Sequence, residues 1–320
     1  MSRKLAVVLP ELEASLRGRI LDAAQGHGLE VLFFESDAEA LPHLADAEII
    51  LGGSPALTKA APRLQWVCTP SAGVNQFTAP GVFASPEAVL TNSSGAYGVT
   101  IAEHIVMVIL EMLRRQPEYA DIVARRAWER ELPIRSIKNA RIALLGTGDI
   151  GQEAARRLRG FCPASLTGIN RSGINPDGCF DRVVTRDQLD SILPDTDILV
   201  ISLPGTPDTA RILGEKQLSL LPDGALIVNV GRGSVIHQAA LEKELRRGRL
   251  KAALDVFEAE PIPPEDPLWT CPNLLITPHN AGNMTLPWTR QRITELFLED
   301  LENYCAGRPL ARRVDLKKGY

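Results

Sequence analysis

The segment Arg141-Ile142-Ala143-Leu144-Leu145-Gly146-Thr147-Gly148-Asp149-Ile150-Gly151 decides how this chain folds. A short apolar run, Ile142 to Leu145, stops at a glycine-rich turn, and a helical pattern begins at Gln152. Strand, glycine turn and helix in that order are what a dinucleotide site needs. Gly146 permits the tight turn, Gly148 lets the backbone approach a pyrophosphate with no side chain between, and Gly151 lets the helix pack closely on the strand. The free amides and positive dipole end of the new helix then face the phosphates. Taken alone, such a glycine pattern carries little weight, because glycines cluster in ordinary turns; the flanking strand and helix give it meaning.

Toward the C-terminus the alternation continues, with expected strands at Leu166 to Asn170, Ile198 to Leu203, Leu226 to Val230, Ala252 to Val256 and Leu274 to Thr277, and helical patterns between most of them. Toward the N-terminus lies a second alternating block: Leu5 to Leu9, Val31 to Phe34, Ile49 to Leu51, Trp66 to Cys68, and Val89 with Leu90. Glu11 to Gln25 fits a connecting helix there, with Leu12, Leu16, Ile20 and Ala23 on one face. Both blocks read as βαβ units, so the fold class is α/β, with two doubly wound parallel-sheet domains. Ile101 to Arg114 is a helix with Ile101, Ile105, Val108 and Met112 as its apolar stripe. Arg114 to Lys138 is charged and poor in strand signal, and it holds Trp128. Arg290 to Tyr304 is a last amphipathic segment before a polar tail.

Composition narrows the function classes. A chain of 320 residues fits about two domains at roughly 150 residues each. With 45% hydrophobic and 23% charged residues it has the material for a large core, and a net charge of -4 gives no support for nucleic-acid or anionic-membrane binding. Cys68, Cys162, Cys179, Cys271 and Cys305 are scattered without ligand or disulfide spacing, so neither a metal site nor a disulfide framework is expected. The apolar start is cut by Pro10 and Glu11, too short for a secretory signal, and no apolar run approaches the roughly 18 residues of a membrane span. A cytoplasmic protein with reduced thiols is the simplest expectation.

Ligands of open parallel sheets bind beyond the carboxyl ends of the strands. There the second block places Asn170 and Arg171, then Gly231-Arg232-Gly233, then Asp255 leading to Glu260, then Pro278-His279-Asn280. Each has an ordinary structural reading: a surface turn arginine, a solvated acid, a core histidine. Glycines beside Arg232 would let its guanidinium fold toward a carboxylate or carbonyl oxygen. Glutamate and histidine together shift the balance, since a carboxylate on imidazole favours its charged form and selects its tautomer, giving a proton donor. An NAD site expects an acid about 20 residues past the glycines. Here stand Asn170-Arg171-Ser172, with no acid until Asp177, and an arginine with a hydroxyl suits a ribose 2′-phosphate. NADP(H) is therefore the preferred cofactor, with NAD(H) possible.

Asn229-Val230-Gly231-Arg232-Gly233, Asp255-Val256-Phe257-Glu258-Ala259-Glu260-Pro261 and Thr277-Pro278-His279-Asn280-Ala281-Gly282 together resemble the D-isomer-specific 2-hydroxyacid dehydrogenases. Ser71-Ala72-Gly73-Val74-Asn75 resembles that family's substrate-carboxylate loop, and Thr91-Asn92 through Ala102-Glu103 its interdomain crossover. Leu268-Trp269 and the terminal Gly319-Tyr320 look most like the glyoxylate/hydroxypyruvate reductase A branch. The resemblance implies a Rossmann cofactor domain, 98–286, inserted into a flavodoxin-like substrate domain, 1–97 with 287–320. It implies a reductase in which Arg232, Glu260 and His279 are catalytic and Ser71, Ala72, Gly73 and Val74 join Arg232 and His279 in holding a small 2-oxo acid. Cofactor contacts are implied at Gly146, Gly148, Asp149, Ile150, Gly151, Asn170, Arg171, Ser172, Leu203, Pro204, Thr209, Val230, Gly231, Arg232, Asp255, His279 and Gly282. Asp255 takes either the nicotinamide carboxamide or an outer place in the network. Arg114 to Lys138 becomes a homodimer arm, Trp66, Tyr97, Met284 and Trp288 shape the pocket, and Trp128 either anchors the dimer interface, the preferred role, or reaches the partner's active site. Formate and phosphite dehydrogenases share the architecture; a formate enzyme is disfavoured, because it would carry glutamine where Glu260 stands. The alternative is a dinucleotide-sensing corepressor of the same fold, disfavoured by the lack of disordered tails and basic runs.

Overall fold

A computed structural model describes residues 3–316, so the terminal Gly319-Tyr320 of the resemblance lies outside the described residues. The chain divides into two compact units, one formed by residues up to Tyr97 together with those from Met284 onward, the other by Gly98–Asn283.

The first unit is a five-stranded parallel sheet: β1 Arg3–Val8, β2 Leu29–Phe34, β3 Ile49–Leu51, β4 Trp66–Cys68 and β5 Val89–Thr91, in the order β2-β1-β3-β4-β5. That is the flavodoxin-like order. Successive side chains of a strand point to opposite faces, and β1 divides accordingly. Ala6 and Val8 join Ile50, Val67 and Leu90 on one face, while Leu5 and Val7 join Ile49, Leu51, Trp66 and Cys68 on the other. The second face is covered by α1, Ala14–Gly26, through Leu16, Ile20 and Ala24, and by the C-terminal helix Pro287–Cys305 through Phe297 and Leu301. Burial pushes the Cys68 thiol up to about 12, leaving it an inert core group.

Trp66 is fully buried, stacked on Phe297 at 5.2 Å and Tyr304 at 5.4 Å, with its ring N–H donated to Thr91 at 2.9 Å. Tyr97 is buried too, its hydroxyl donating to the Pro70 carbonyl at 2.7 Å. The expectation that Trp66 lines a substrate pocket is corrected: it is fully buried, and an indole with a good partner for its N–H belongs in a core. Trp288 is half exposed.

The second unit is a seven-stranded parallel sheet: β6 Arg141–Leu145, β7 Ser165–Asn170, β8 Arg182–Thr185, β9 Ile198–Ile201, β10 Leu226–Asn229, β11 Lys251–Leu254 and β12 Leu274–Ile276. Its order, β12-β11-β10-β9-β6-β7-β8, is the doubly wound dinucleotide-binding arrangement extended by one strand. Topology reverses between β6 and β9, and the glycine turn after β6 opens at that point. One face packs Ala143, Leu145, Ile201, Ile227 and Leu254 against Leu218, Leu241 and Leu245. Helix α2, Gly98–Leu113, lies along α4, Asp149–Arg159, and against β10 and β11, burying the expected stripe Ile101, Ile105, Val108 and Met112.

Several boundaries move. Helix α4 starts at Asp149 instead of Gln152, because Gly148 is its extended N-cap and Gly151 lies inside its first turn. β9 stops at Ile201, two residues before the apolar run ends, since Leu203 belongs to a proline loop. β8 was not expected: Val183 and Val184 are its two apolar residues, at the sheet edge. Within the charged stretch 114–138, Gln116–Ala124 forms a helix, α3, and Trp128 beyond it is 88% exposed in the single chain. Among the described residues no helix is long and apolar enough to cross a membrane, and no group of histidine, cysteine and acid side chains is arranged to hold a metal ion.

Candidate active site

In the glycine turn, Gly146 has φ +110°, a region closed to most side chains, and a Cβ there would fall 2.7 Å from Ser202 Oγ. A Cβ on Gly151 would fall 2.2 Å from the Gly146 carbonyl oxygen, so the helix rests directly on the turn. Gly148 differs: a Cβ there meets nothing within 4 Å. No packing requirement in the protein calls for a glycine at that position, which opens onto space before the N-terminus of α4. A pyrophosphate fits there, beside helical N–H groups. The Asp149 carboxylate is turned aside. It lies against Gly98, where a Cβ would come within 2.5 Å of its Oδ1, at the N-terminus of α2, whose dipole favours a negative charge. Only the main chain of Asp149 and Ile150 is thereby left for a phosphate.

β10 ends at Asn229 and hands the chain to Gly231-Arg232-Gly233. Asn229 secures the turn: its amide donates to the Arg232 carbonyl at 3.0 Å and its Oδ1 accepts the Gly231 N–H at 3.0 Å. The glycines have a different cause from the one expected. A Cβ on Gly231 would come 2.5 Å from the Leu203 carbonyl oxygen, and one on Gly233 would come 1.9 Å from the Phe257 carbonyl carbon. They let three strand-end loops touch, and that contact sets where Arg232 stands. The Arg232 guanidinium donates to the Gly231 carbonyl at 2.7 Å. Burial lowers it from the usual arginine range, the charge of Glu260 works the other way, and it stays a cation.

Glu260 bridges two donors. Its Oε1 accepts the Phe257 N–H at 2.8 Å, and its Oε2 is 2.6 Å from His279 Nδ1. With Nδ1 held by a carboxylate, the ring's orientation and proton position are set at one end. His279 has φ +50°, and its N–H is shared between the carbonyls of Asp255 and Thr277, each at 3.0 Å. Its ring is half exposed, as a group that meets a ligand must be. Asp255, 2% exposed, spends three bonds on the same loop: Oδ1 accepts from the Thr277 hydroxyl at 2.6 Å and the Asn280 N–H at 3.0 Å, and Oδ2 from the Ala281 N–H at 3.1 Å. Arg232, Glu260 and His279 thus come from three loops at the carboxyl edge of one sheet.

Residues 106–281 match the family described as D-isomer specific 2-hydroxyacid dehydrogenase, NAD binding domain. The chain is 30% identical over 305 residues to glyoxylate/hydroxypyruvate reductase B of Serratia proteamaculans, covering 92% of each. It is 33% identical over 226 residues to glyoxylate/hydroxypyruvate reductase A of Salmonella newport, covering 70% of each. It also resembles the crystal structure of an NADPH-dependent glyoxylate/hydroxypyruvate reductase from Sinorhizobium meliloti in complex with NADP and sulfate, at a TM-score of 0.80 and 28% identity over 99% of this chain and 100% of that one. The chain belongs to the D-isomer specific 2-hydroxyacid dehydrogenase family.

The dehydrogenase is an NAD(P)-dependent oxidoreductase. In the second unit, Asn170 organises the loop after β7. Its amide donates to Thr147 Oγ1 at 2.7 Å and to the Ile174 carbonyl at 2.9 Å, while its Oδ1 accepts the N–H groups of Ser172 and Gly173 at 3.0 and 2.6 Å. Arg171 and Ser172 are exposed on that loop. Arg171 also lines an open cavity of about 480 Å³ with Arg186, Asp187, Asp190 and Asp208. Sequence reading missed Arg186, which follows the unexpected strand β8, and Thr147, whose hydroxyl receives Asn170. Thr209 is a buried loop clasp, its hydroxyl donating to the Pro204 carbonyl at 2.6 Å and accepting the Thr206 N–H at 2.9 Å.

In the first unit of the dehydrogenase, Ser71 to Val74 follow β4. Ser71 Oγ donates to the Gly73 carbonyl at 2.7 Å and Asn92 donates to the Ala72 carbonyl at 2.8 Å, so the loop's carbonyls are occupied. Among the described residues, the N–H groups of Ala72, Gly73 and Val74 donate to no protein acceptor. Successive unpaired amides of this kind form an anion-binding concavity.

Proposed function

We propose that this dehydrogenase reduces a small 2-oxo acid, of the size of glyoxylate or hydroxypyruvate, to the D-2-hydroxy acid and prefers NADPH. The observation that carries the reading is the 2.6 Å bond between Glu260 and His279 on loops adjoining Arg232. In the first unit the amides of Ala72 to Val74 are offered to a carboxylate; in the second the Arg232 guanidinium is offered to a carboxylate and a 2-oxo oxygen. A reduced nicotinamide, when bound, supplies the hydride. His279 gives a proton to the forming alkoxide from Nε2, because Nδ1 is committed to Glu260, which orients the ring. Arg232 and His279 together stabilise the negative charge that grows on oxygen.

The dinucleotide is held by the main chain of Gly148 to Gly151 at its pyrophosphate and by Arg171 and Ser172 at its ribose phosphate. Asn170 supports the preference because it stands at the end of β7, where an NAD site carries an acid, and organises the Arg171–Ser172 loop. The acid typical of an NAD site would repel a 2′-phosphate, whereas a guanidinium attracts one. The chain works as a homodimer through residues 114–138, where Val123, Trp128 and Ile134 lie exposed. A panel of 2-oxo acids against both cofactors tests the proposal. Consumption of NADPH with glyoxylate or hydroxypyruvate, at higher kcat/KM than NADH, is expected. No turnover across the panel would refute the reductase and favour a dinucleotide sensor, and a clear NADH preference would overturn the cofactor assignment.

A further inference from the structure

We propose that His104 is a positioning residue for the proton donor His279, acting through the hydroxyl of Thr277. The inference rests on the reduction proposed above and adds to it a residue distant in sequence from the proton donor's loop. His104 lies on α2, one residue before Ile105 of the buried stripe, and is itself half-buried. Its Nε2 is 3.4 Å from Thr277 Oγ1, and that oxygen is 2.6 Å from Asp255 Oδ1.

The chemistry gives this chain a direction. A threonine hydroxyl has one proton, and a carboxylate only accepts. Thr277 therefore spends its proton on Asp255 and receives one from His104 Nε2. Burial holds His104 below the usual histidine range, with the charges of Asp255 and Glu111 opposing. Asp255 passes the restraint onward through its bonds from Asn280 and Ala281 and through its carbonyl, which accepts the His279 N–H.

The loop needs this support. His279 occupies the left-handed region, which is unfavourable for a residue with a Cβ and persists only where neighbours over-determine it. The residues before and after it are tied to Asp255, and the hydroxyl tie at Thr277 is the one that reaches a helix. Helix α2 thereby anchors one side of the loop, as Glu260 anchors the ring itself. In sequence His104 looks like a histidine on an apolar helix face; its partner is 173 residues away.

The test uses the full-length protein. In His104→Ala and in Thr277→Val, kcat should fall about 10-fold while KM for NADPH stays within about twofold, and the double variant should be no slower than the slower single one, since both cut one chain. His104→Gln, which keeps an amide N–H at similar reach, should recover several-fold over His104→Ala. Losses that multiply, or a kcat within about twofold of the parent in both single variants, overturn the proposal. A second readout separates this from failure of the reductase reading. The chain has five histidines, so the ring resonance of His279 can be assigned by substitution. It should be single and sharp in the parent and broadened or split in His104→Ala, with His27 and His43 unchanged. An unchanged His279 signal overturns the positioning role whether or not the chain turns over; a changed signal without turnover in the parent sinks the reductase reading and leaves the coupling standing. If His104→Ala does not fold, His104→Gln and Thr277→Val carry both measurements.

Discussion

Replacing Glu260 by glutamine tests the site at its narrowest point. The substitution keeps length and shape but leaves one acceptor oxygen where there were two. In the structure both are used, Oε1 on the Phe257 N–H and Oε2 on His279 Nδ1. In Glu260→Gln the amide nitrogen must face one of these donors. If it faces Phe257, two N–H groups oppose each other beside a residue only 7% exposed. If it faces His279, the bond that holds Nδ1 is lost and the ring is no longer oriented from that side. Exchanging a charge-assisted bond for a neutral one costs about 1–1.5 kcal/mol, and an orphaned donor about 1–3 kcal/mol. Because His279 is half exposed, water recovers part of this, and a net loss of about 1.5–3 kcal/mol is the fair expectation. That corresponds to roughly a 10- to 150-fold fall in kcat. Steady-state rates followed by nicotinamide absorbance, with a 2-oxo acid that the parent reduces, give the number directly, and KM for NADPH should move by no more than about twofold. A variant retaining half or more of the parent kcat would refute the assignment of Glu260 and, with it, the pairing that makes His279 a donor.

Three further outcomes are expected. Arg171→Ala should lower kcat/KM for NADPH at least about 10-fold and leave that for NADH nearly unchanged, the loss of one charge-assisted phosphate contact; equal losses with both cofactors would remove the arginine from the phosphate. Gly233→Ala places a Cβ 1.9 Å from the carbonyl carbon of Phe257, a backbone atom that cannot rotate away, so a destabilisation of about 3 kcal/mol or more is expected, and a melting temperature within about two degrees of the parent would contradict it. The third concerns acid. The Arg141 side chain foremost, then its main-chain N–H, holds Asp197 below the usual carboxylate range against the effect of burial. A depressed folded pKa adds stability that is complete above the unfolded value near 3.9 and is lost as pH falls through the folded one. Arg141→Gln should therefore show its deficit in urea unfolding near neutral pH and a smaller deficit at about pH 3; a deficit independent of pH would assign it to packing instead.

The sheets were legible because parallel strands buried on both faces read as continuous apolar runs, as in Leu5 to Val8 and Ile198 to Ile201. β8 was not, since an edge strand with two valines resembles any loop. Helix starts are set by caps and close approaches that a periodic pattern does not contain; Asp149 opens α4 only because Gly151 rests on the Gly146 carbonyl. Arg232, Glu260 and His279 were readable as polar residues just past strand ends. Their contacts were not, because they depend on glycines whose neighbours lie far away in sequence: Gly231 on Leu203, Gly233 on Phe257. The large aromatics misled for a related reason. Trp66 belongs to the core because Phe297 and Tyr304, more than 200 residues later, come to stack on it.

That stack has a consequence for synthesis. One face of the N-terminal sheet, with Leu5, Val7, Ile49, Leu51, Trp66 and Cys68, is completed by Phe297 and Leu301 of the C-terminal helix. Between Tyr97 and Phe297 the ribosome adds 200 residues, which takes roughly 10 to 40 seconds. Throughout that interval part of an apolar sheet face waits uncovered, while Gly98–Asn283, contiguous in the chain, receives its last residue before Phe297 is added. The nascent chain is thus most exposed to aggregation before its last helix emerges, and truncations near residue 284 should depend on chaperones far more than truncations within the polar tail.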